Sequence, residues 1–206
     1  MKMKKMAGFA AAAMMCSAFM AGCTAKSAAS KGNQAGDTIK IGVNMELSGA
    51  AAGYGQQEKN GIELAVQEIN AKGGVNVNGK KKKIKAIYRD NKSSTSTSAS
   101  VAAQLTSQDK AVALIGPATT NDGTATIPTA NKASVPFLSP AATAPDFTLD
   151  KKGKVQPYVF RATFKDDYQG ITAAKFAYDT LKTKKVAILA DNSSDYGTGV
   201  TKAFKK

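Results

Sequence analysis

From residue 38 onward the chain alternates short apolar runs with longer amphipathic ones, and this alternation restricts the fold more than any other feature. Strands are expected at 39–45, 84–89, 111–115, 135–138, 158–161 and 185–190. Helices are expected between them at 55–72, 96–108, 122–132 and 168–182. Ile62, Ala65, Val66 and Ile69 recur at helical spacing, which predicts one buried stripe on the first helix, and Gly73-Gly74 supplies a left-handed stop. Strands separated by helices make parallel βαβ units with both sheet faces covered. The expected class is therefore α/β, a doubly wound parallel sheet. In such sheets ligands sit beyond the carboxyl ends of the strands, so the loops there are where function is sought.

The loop after the first strand, 47–55, is rich in glycine, and Asp90 ends the second strand like the acid that holds a ribose. The dinucleotide spacing fails, however. Gly53-Tyr54-Gly55-Gln56-Gln57-Glu58 lacks the third glycine and sets a carboxylate where a helix start would meet pyrophosphate. The loop Gly116-Pro117-Ala118-Thr119-Thr120-Asn121-Asp122 brings hydroxyls and an amide to a helix start, where free NH groups and the helix dipole favour a small anion. Simple helix capping would account for one Thr or Asn there equally well. The loop Ser139-Pro140-Ala141-Ala142-Thr143-Ala144-Pro145-Asp146 is again small, hydroxylated and stiffened by prolines. Adjacent across a parallel sheet, these two loops would aim two sets of backbone donors at one point.

The amino end carries Lys2, Lys4 and Lys5, then an apolar stretch from Met6 to Phe19, then Met20-Ala21-Gly22-Cys23. This reads as a lipoprotein signal over 1–22, too short for a mature membrane span of roughly 20 apolar residues. Cys23 is the expected lipidated residue. The Ser-, Ala-, Lys- and Gly-rich stretch that follows, 23–37, suits a flexible tether. The expected location is extracytoplasmic, anchored to a bacterial cell membrane through Cys23.

The 206-residue chain has two cysteines and no histidine. Processing at Gly22 would remove Cys16 and occupy Cys23, leaving no thiol for a disulfide, a metal or nucleophilic attack. The missing histidine removes the commonest general base and metal ligand. An enzyme is not expected, nor any cofactor or metal. The formal charge is +14, falling to +11 once 1–22 is removed. The one dense lysine cluster, Lys80 to Lys83 with Lys85, follows the hairpin signal Asn78-Gly79 and has no aromatic residues interleaved to stack bases. A solvated turn beside an anionic cell surface is expected, and no nucleic acid partner.

Leu47-Ser48-Gly49 with Tyr54-Gly55, Ala71-Lys72-Gly73-Gly74-Val75, Asp90, Ile115-Gly116-Pro117, the run Ser139-Pro140-Ala141-Ala142-Thr143-Ala144-Pro145, Phe160-Arg161, Asp166, Gln169-Gly170 and Asp191 with Tyr196-Gly197 together resemble the Leu/Ile/Val-binding proteins. These are the type I extracytoplasmic solute-binding components of ABC transporters. The resemblance runs over 38–206 and implies one ligand-binding lobe at 38–163. A hinge crossing and the start of an incomplete second lobe would follow at 164–206.

By the same resemblance, Thr120 gives hydroxyl and amide to an amino acid's α-carboxylate beside the Thr143 amide, while the Ala141 carbonyl and the Thr143 hydroxyl receive the α-ammonium. Tyr54, Ala118 and Thr119 would line the side-chain pocket, and Tyr196 would close over the ligand from the second lobe. Ala118 and Thr119 are together smaller and more polar than a snug apolar pocket for leucine would want, so the resemblance implies an amino acid more firmly than a branched-chain one. The family's acidic partner of the ammonium lies beyond Lys206, and the chain is expected to be truncated and to bind weakly. The implied partners are a free amino acid, an ABC permease with its ATPase, and the membrane through a lipid anchor. A lipid-tethered sensor presenting the amino acid to a signalling partner is the second expectation.

Overall fold

The computed structural model describes residues 32–206; the signal, Cys23 and the tether up to Lys31 lie outside the described residues. Six strands form one sheet in the order β2-β3-β1-β4-β5-β6. They are β1 Thr38–Met45, β2 Val75–Val77, β3 Lys80–Asp90, β4 Ala113–Ile115, β5 Phe137–Ser139 and β6 Val159–Arg161. All neighbours are parallel except β2 and β3, which form a hairpin turning through Asn78 and Gly79, both at positive φ. An Asn-Gly pair tolerates that conformation, so the turn signal in the sequence fixes a real hairpin. β1 and β3 pair over their whole shared length, from Thr38 opposite Lys83 to Met45 opposite Asp90.

Side chains alternate across β1 and divide the core in two. Val43 and Met45 point to one face, where they meet Ile62 of α1 (Ala52–Ala71) with Leu47, Ala86, Tyr88 and Ala118. Gly42 lies against Leu105 and Leu114, and Asn44 points to the opposite face, toward α2 (Thr95–Ser107) and α3 (Thr120–Ala133). That second face holds the larger core, built on Leu105, Leu114, Val135, Phe137, Phe147 and Val159. Phe137 and Phe147 meet edge to face, with ring centres 5.8 Å apart.

Two expectations need correction. The stripe on α1 is only half covered: Ile62 and Val66 are partly buried, Ala65 is exposed and Ile69 is 37% exposed. The helix leans on the sheet, chiefly on β3, and among the described elements no second helix packs beside it to close the stripe. Residues 185–190 do not form a strand. A strand needs a neighbour to receive its backbone hydrogen bonds, and no described strand lies beside this one. Val186, Ile188 and Leu189 therefore stand exposed.

Beyond the sheet, α4 (Asp166–Lys175) continues into a π-helical turn, Phe176–Thr180, and packs on α5 (Asp195–Phe204). Their contact is close because Gly170 lies against Ala203 and the backbone of α5. At the chain's described start, the Asn33 amide donates to the carbonyls of Thr106 and Ala111, each at 2.8 Å. Residues 32–37, within the segment read as tether, thus run along the lobe.

Candidate ligand-binding site

The loops at the carboxyl ends of β1, β3, β4 and β5 meet, and buried carboxylates organise them. Gly55 has no room for a side chain, because a Cβ would strike the Glu46 carbonyl; the glycine lets α1 start hard against the end of β1. That contact, rather than a phosphate, accounts for the glycine. Asp90 likewise holds protein instead of a ribose. It accepts the amides of Leu47 at 3.0 Å, Ser48 at 3.1 Å and Lys92 at 2.8 Å, and the Ser48 hydroxyl at 2.6 Å.

Glu46 is wholly buried and turns back under the next loop. Its carboxylate accepts the amides of Ala118 at 3.0 Å and Thr119 at 3.1 Å, and the Thr119 hydroxyl at 3.1 Å. Asp122 completes this cluster, with its Oδ2 3.1 Å from the same hydroxyl. Burial, then hydrogen bonding to Glu46 and its charge, push the Asp122 carboxyl up to about 6 against the opposing pull of Thr119. Glu58, one turn into α1, is pushed up to about 7 by burial and by Glu46. Among the described residues no group of three acids, histidines or cysteines is arranged to hold a metal.

The two threonines that the sequence could not separate have different jobs. Thr119, in extended backbone, is the N-cap of α3, and its hydroxyl accepts the Asp122 amide at 3.3 Å. Thr120 reaches across to the neighbouring loop instead, its Oγ1 accepting the amides of Thr143 at 3.2 Å and Ala144 at 3.4 Å. Thr120 and Thr143 are both buried, and Ala141 beside them is half-buried. Ser139 shapes the second loop, donating to the Pro117 carbonyl at 2.6 Å and accepting the Ala142 amide at 3.1 Å. Ala118 packs into the core with Val43 and Met45. Tyr54 stands 70% exposed on the first turn of α1. Tyr196 is exposed too, its hydroxyl paired with the Gln169 amide of α4 at 2.8 Å. Its neighbour Asp195 donates a backbone amide to the Asn121 side chain at 3.2 Å, which brings the start of α5 beside Thr120.

Asp166 and Arg161 have roles that the residue-level reading did not give them. The Asp166 amide donates to the Thr143 carbonyl at 3.0 Å, while its carboxylate is buried and neither oxygen has a hydrogen-bond partner among the described residues. Burial pushes this carboxyl up; the neighbouring Thr143 hydroxyl and Arg161 pull the other way without cancelling it. Arg161, at the end of β6, donates to the carbonyls of Ala144 at 2.5 Å and Pro145 at 3.3 Å and so pins the 139–146 loop. A cleft of about 570 Å³ opens beside Thr120 and Asp166, between α3, the 144–151 loop and the start of α5. The signal for Asp166 was available: an acid just after the sixth strand, opening a helix. Glu46, an acid directly after the first strand, was also visible in the sequence.

The periplasmic binding protein family matches residues 38–206. Among curated proteins the chain is similar to Leu/Ile/Val-binding protein homolog 2 of Brucella abortus, 36% identical over 171 residues, 82% of this chain and 43% of that one. It is 31% identical over 188 residues to the Leu/Ile/Val-binding protein of Escherichia coli, covering 91% of this chain and 48% of that one. Among solved structures, the branched-chain amino acid transporter substrate binding protein LivJ from Streptococcus pneumoniae, in complex with isoleucine, is 45% identical. It superposes with a TM-score of 0.75 over 82% of this chain and 46% of that one. A solute binding protein of an ABC transporter from Rhodopseudomonas palustris, in complex with 3,4-dihydroxybenzoic acid, is 28% identical, with a TM-score of 0.71 over 82% of this chain and 43% of that one. The chain spans less than half the length of these relatives.

Proposed function

The chain belongs to the periplasmic binding protein family, and from that premise we propose that it captures an amino acid, branched-chain or related, as the extracytoplasmic binding component of an ABC importer. The observation that carries this reading is the junction of Thr120, Thr143 and Asp166. Thr120 Oγ1 and the Thr143 amide lie 3.2 Å apart, and the Thr143 carbonyl is bonded to the amide of Asp166, whose buried carboxylate lacks a partner among the described residues. A zwitterion supplies what this junction lacks. Its carboxylate would take the Thr120 hydroxyl and the Thr143 amide, displacing their mutual bond, and its ammonium would meet the Asp166 carboxylate and the Ala141 carbonyl. Charge-assisted bonds in a buried setting make such a match strong, and no catalytic base is needed.

Thr119 and Tyr54 would face the ligand's side chain, with Ala118 backing them from the core and Tyr196 reaching over it from the α5 side. Lipid on Cys23 would hold the protein at the membrane near a permease and its ATPase. In this reading a ligand drawn between two lobes stabilises the closed form, because only that form touches it from both sides. The Thr120–Thr143–Asp166 junction contacts a ligand from one side, so binding at this junction alone is expected to be weak.

The test is a nuclear magnetic resonance titration of this chain with isoleucine, leucine, valine and alanine. Amide shifts at Thr120, Thr143 and Asp166, saturating at millimolar ligand and lost in Thr120→Val, are expected. 4-Methylpentanoate, which is leucine without its amine, should bind more weakly than leucine. No shift with any amino acid would defeat the proposal, and preference for a hydroxybenzoate would replace it with an aromatic-acid site.

A further inference from the structure

We propose that the end of the sheet opposite the ligand site is a docking face for an anionic lipid surface. Lys80 to Lys83 and Lys85 occupy the amino-terminal half of β3, while its carboxyl end, Asp90, belongs to the ligand-site loops. From Lys83 to Asp90 is seven residues, or about 23 Å of extended strand. Lys72, just past the end of α1, and Lys110, in the turn before β4, project at the same end.

This concentration of charge works against folding. Lys40 lies directly opposite Lys85 in the β1–β3 register, and like charges so placed are destabilising. Neutralising acids are few beside the lysines: Asp109 is taken by Arg89 at 2.8 Å, and Asp150, before β6, accepts the amides of Lys152 and Lys154. Four lysines serve the fold, Lys40 among them by donating to the Asp109 carbonyl at 3.2 Å. Lys81 and Lys83 donate to carbonyls of Lys72 and Asn70 at the end of α1, and Lys82 donates to the carbonyls of Ala35 and Gly36. Lys72, Lys80, Lys85 and Lys110 are exposed or half-exposed, and their side chains make no hydrogen bond or ion pair among the described residues. Charges kept together at a cost to stability, with half of them free, indicate an external partner.

Two placements make that partner a membrane. The chain enters the lobe at this pole, where Lys82 holds residues 35 and 36 and Gly32 lies against the Ser134 carbonyl at the end of α3. The opposite end carries Glu46, Glu58, Asp90, Asp122 and Asp166, so the molecule is polarised along the sheet. An anionic surface would draw the lysine pole inward and leave the ligand cleft facing away. The only aromatic ring on β3, Tyr88, is half-buried under Lys59 and offers no base-stacking platform. The inference rests on the reading that the protein works beside a membrane, yet it needs neither the lipid nor the ligand.

The experiment measures partition of the unlipidated full chain onto vesicles of phosphatidylglycerol and phosphatidylcholine, against phosphatidylcholine alone. The variant K72Q/K80Q/K85Q/K110Q is compared with K175Q/K182Q/K184Q/K185Q, which removes the same charge from the α4 side. All three proteins share the same apolar amino terminus, so differences report the pole. Each surface lysine near an anionic membrane contributes roughly a fivefold preference, so the first variant should lose about tenfold or more of its anionic partition and the second about twofold at most. Added salt should erase the preference. Equal losses in the two variants, no preference for anionic vesicles, or a preference for duplex DNA over vesicles would each overturn the proposal. The ligand titration above is independent, so failure of one reading leaves the other standing.

Discussion

The Glu46 carboxylate accepts the backbone amide of Thr119 at 3.1 Å while its other oxygen takes the Ala118 amide at 3.0 Å. One strand end thus sets the position of the loop that leads into Thr120. Glu46→Ala would leave two buried amides without acceptors, at about 2–4 kcal/mol. Glu46→Gln would turn a donor toward one of them and recover only part of the loss. Urea unfolding of the two variants checks this, and equal stability of wild type and Glu46→Ala would refute it.

The acids around Glu46 give stability a downward slope with pH. Asp122 at about 6 and Glu58 at about 7 both bind protons more tightly folded than unfolded. Their contribution is complete below the unfolded carboxylate value of about 4 and is lost as pH rises through 6 to 7. Asp122→Asn removes one of these protons from the balance. It should match wild type near pH 4 and exceed it by about 1–2 kcal/mol near pH 8. If Asp122→Asn proved less stable than wild type at both pH values, the charge would not be the burden.

Asp90 acts with the opposite sign. Burial pushes its carboxyl up, but the Ser48 hydroxyl and the amides of Lys92, Ser48 and Leu47 outweigh burial and hold it below the usual range. Its contribution is present above the unfolded value and lost as pH falls through the folded one. Asp90→Asn should cost about 1–3 kcal/mol at neutral pH, with the deficit shrinking in acid. A deficit that grows in acid would contradict this.

Arg161 is the clamp on the second site loop. Arg161→Ala releases the carbonyls of Ala144 and Pro145, two bonds to a charged donor worth roughly 1.5–3 kcal/mol each. Amide exchange at Ala142, Thr143 and Ala144 should accelerate about tenfold or more, and Arg161→Lys should fall between the two, since an ammonium lacks the fork. Unchanged exchange in the 139–146 loop would exclude the clamp.

Much of this was legible in the sequence, and the exceptions share a cause. The alternation of apolar and amphipathic segments located five of the six expected strands, because burial on both faces leaves continuous apolar runs. The sixth, 185–190, has the same local signature but no neighbour, and pairing is not a local property. Asn44 ends up wholly buried, its amide donating to the Ser98 carbonyl and the Thr126 hydroxyl, each at 3.0 Å. A lone Asn inside an apolar run reads as an interruption until the sheet shows which face it serves. Thr119 and Thr120 are identical side by side, and only the backbone, extended at one and helical at the next, separates the cap from the residue that bridges loops.

The unpaired stretch at 185–190 has a consequence for handling this polypeptide. Leu189 is completely exposed, and the backbone around it pairs with no strand among the described residues. An extended apolar segment with open amides is a template, and the readiest complement at high concentration is the same segment of another molecule. Turbidity that grows with concentration, and eases when Val186 or Ile188 is replaced by lysine, would be the visible sign of that self-recruitment.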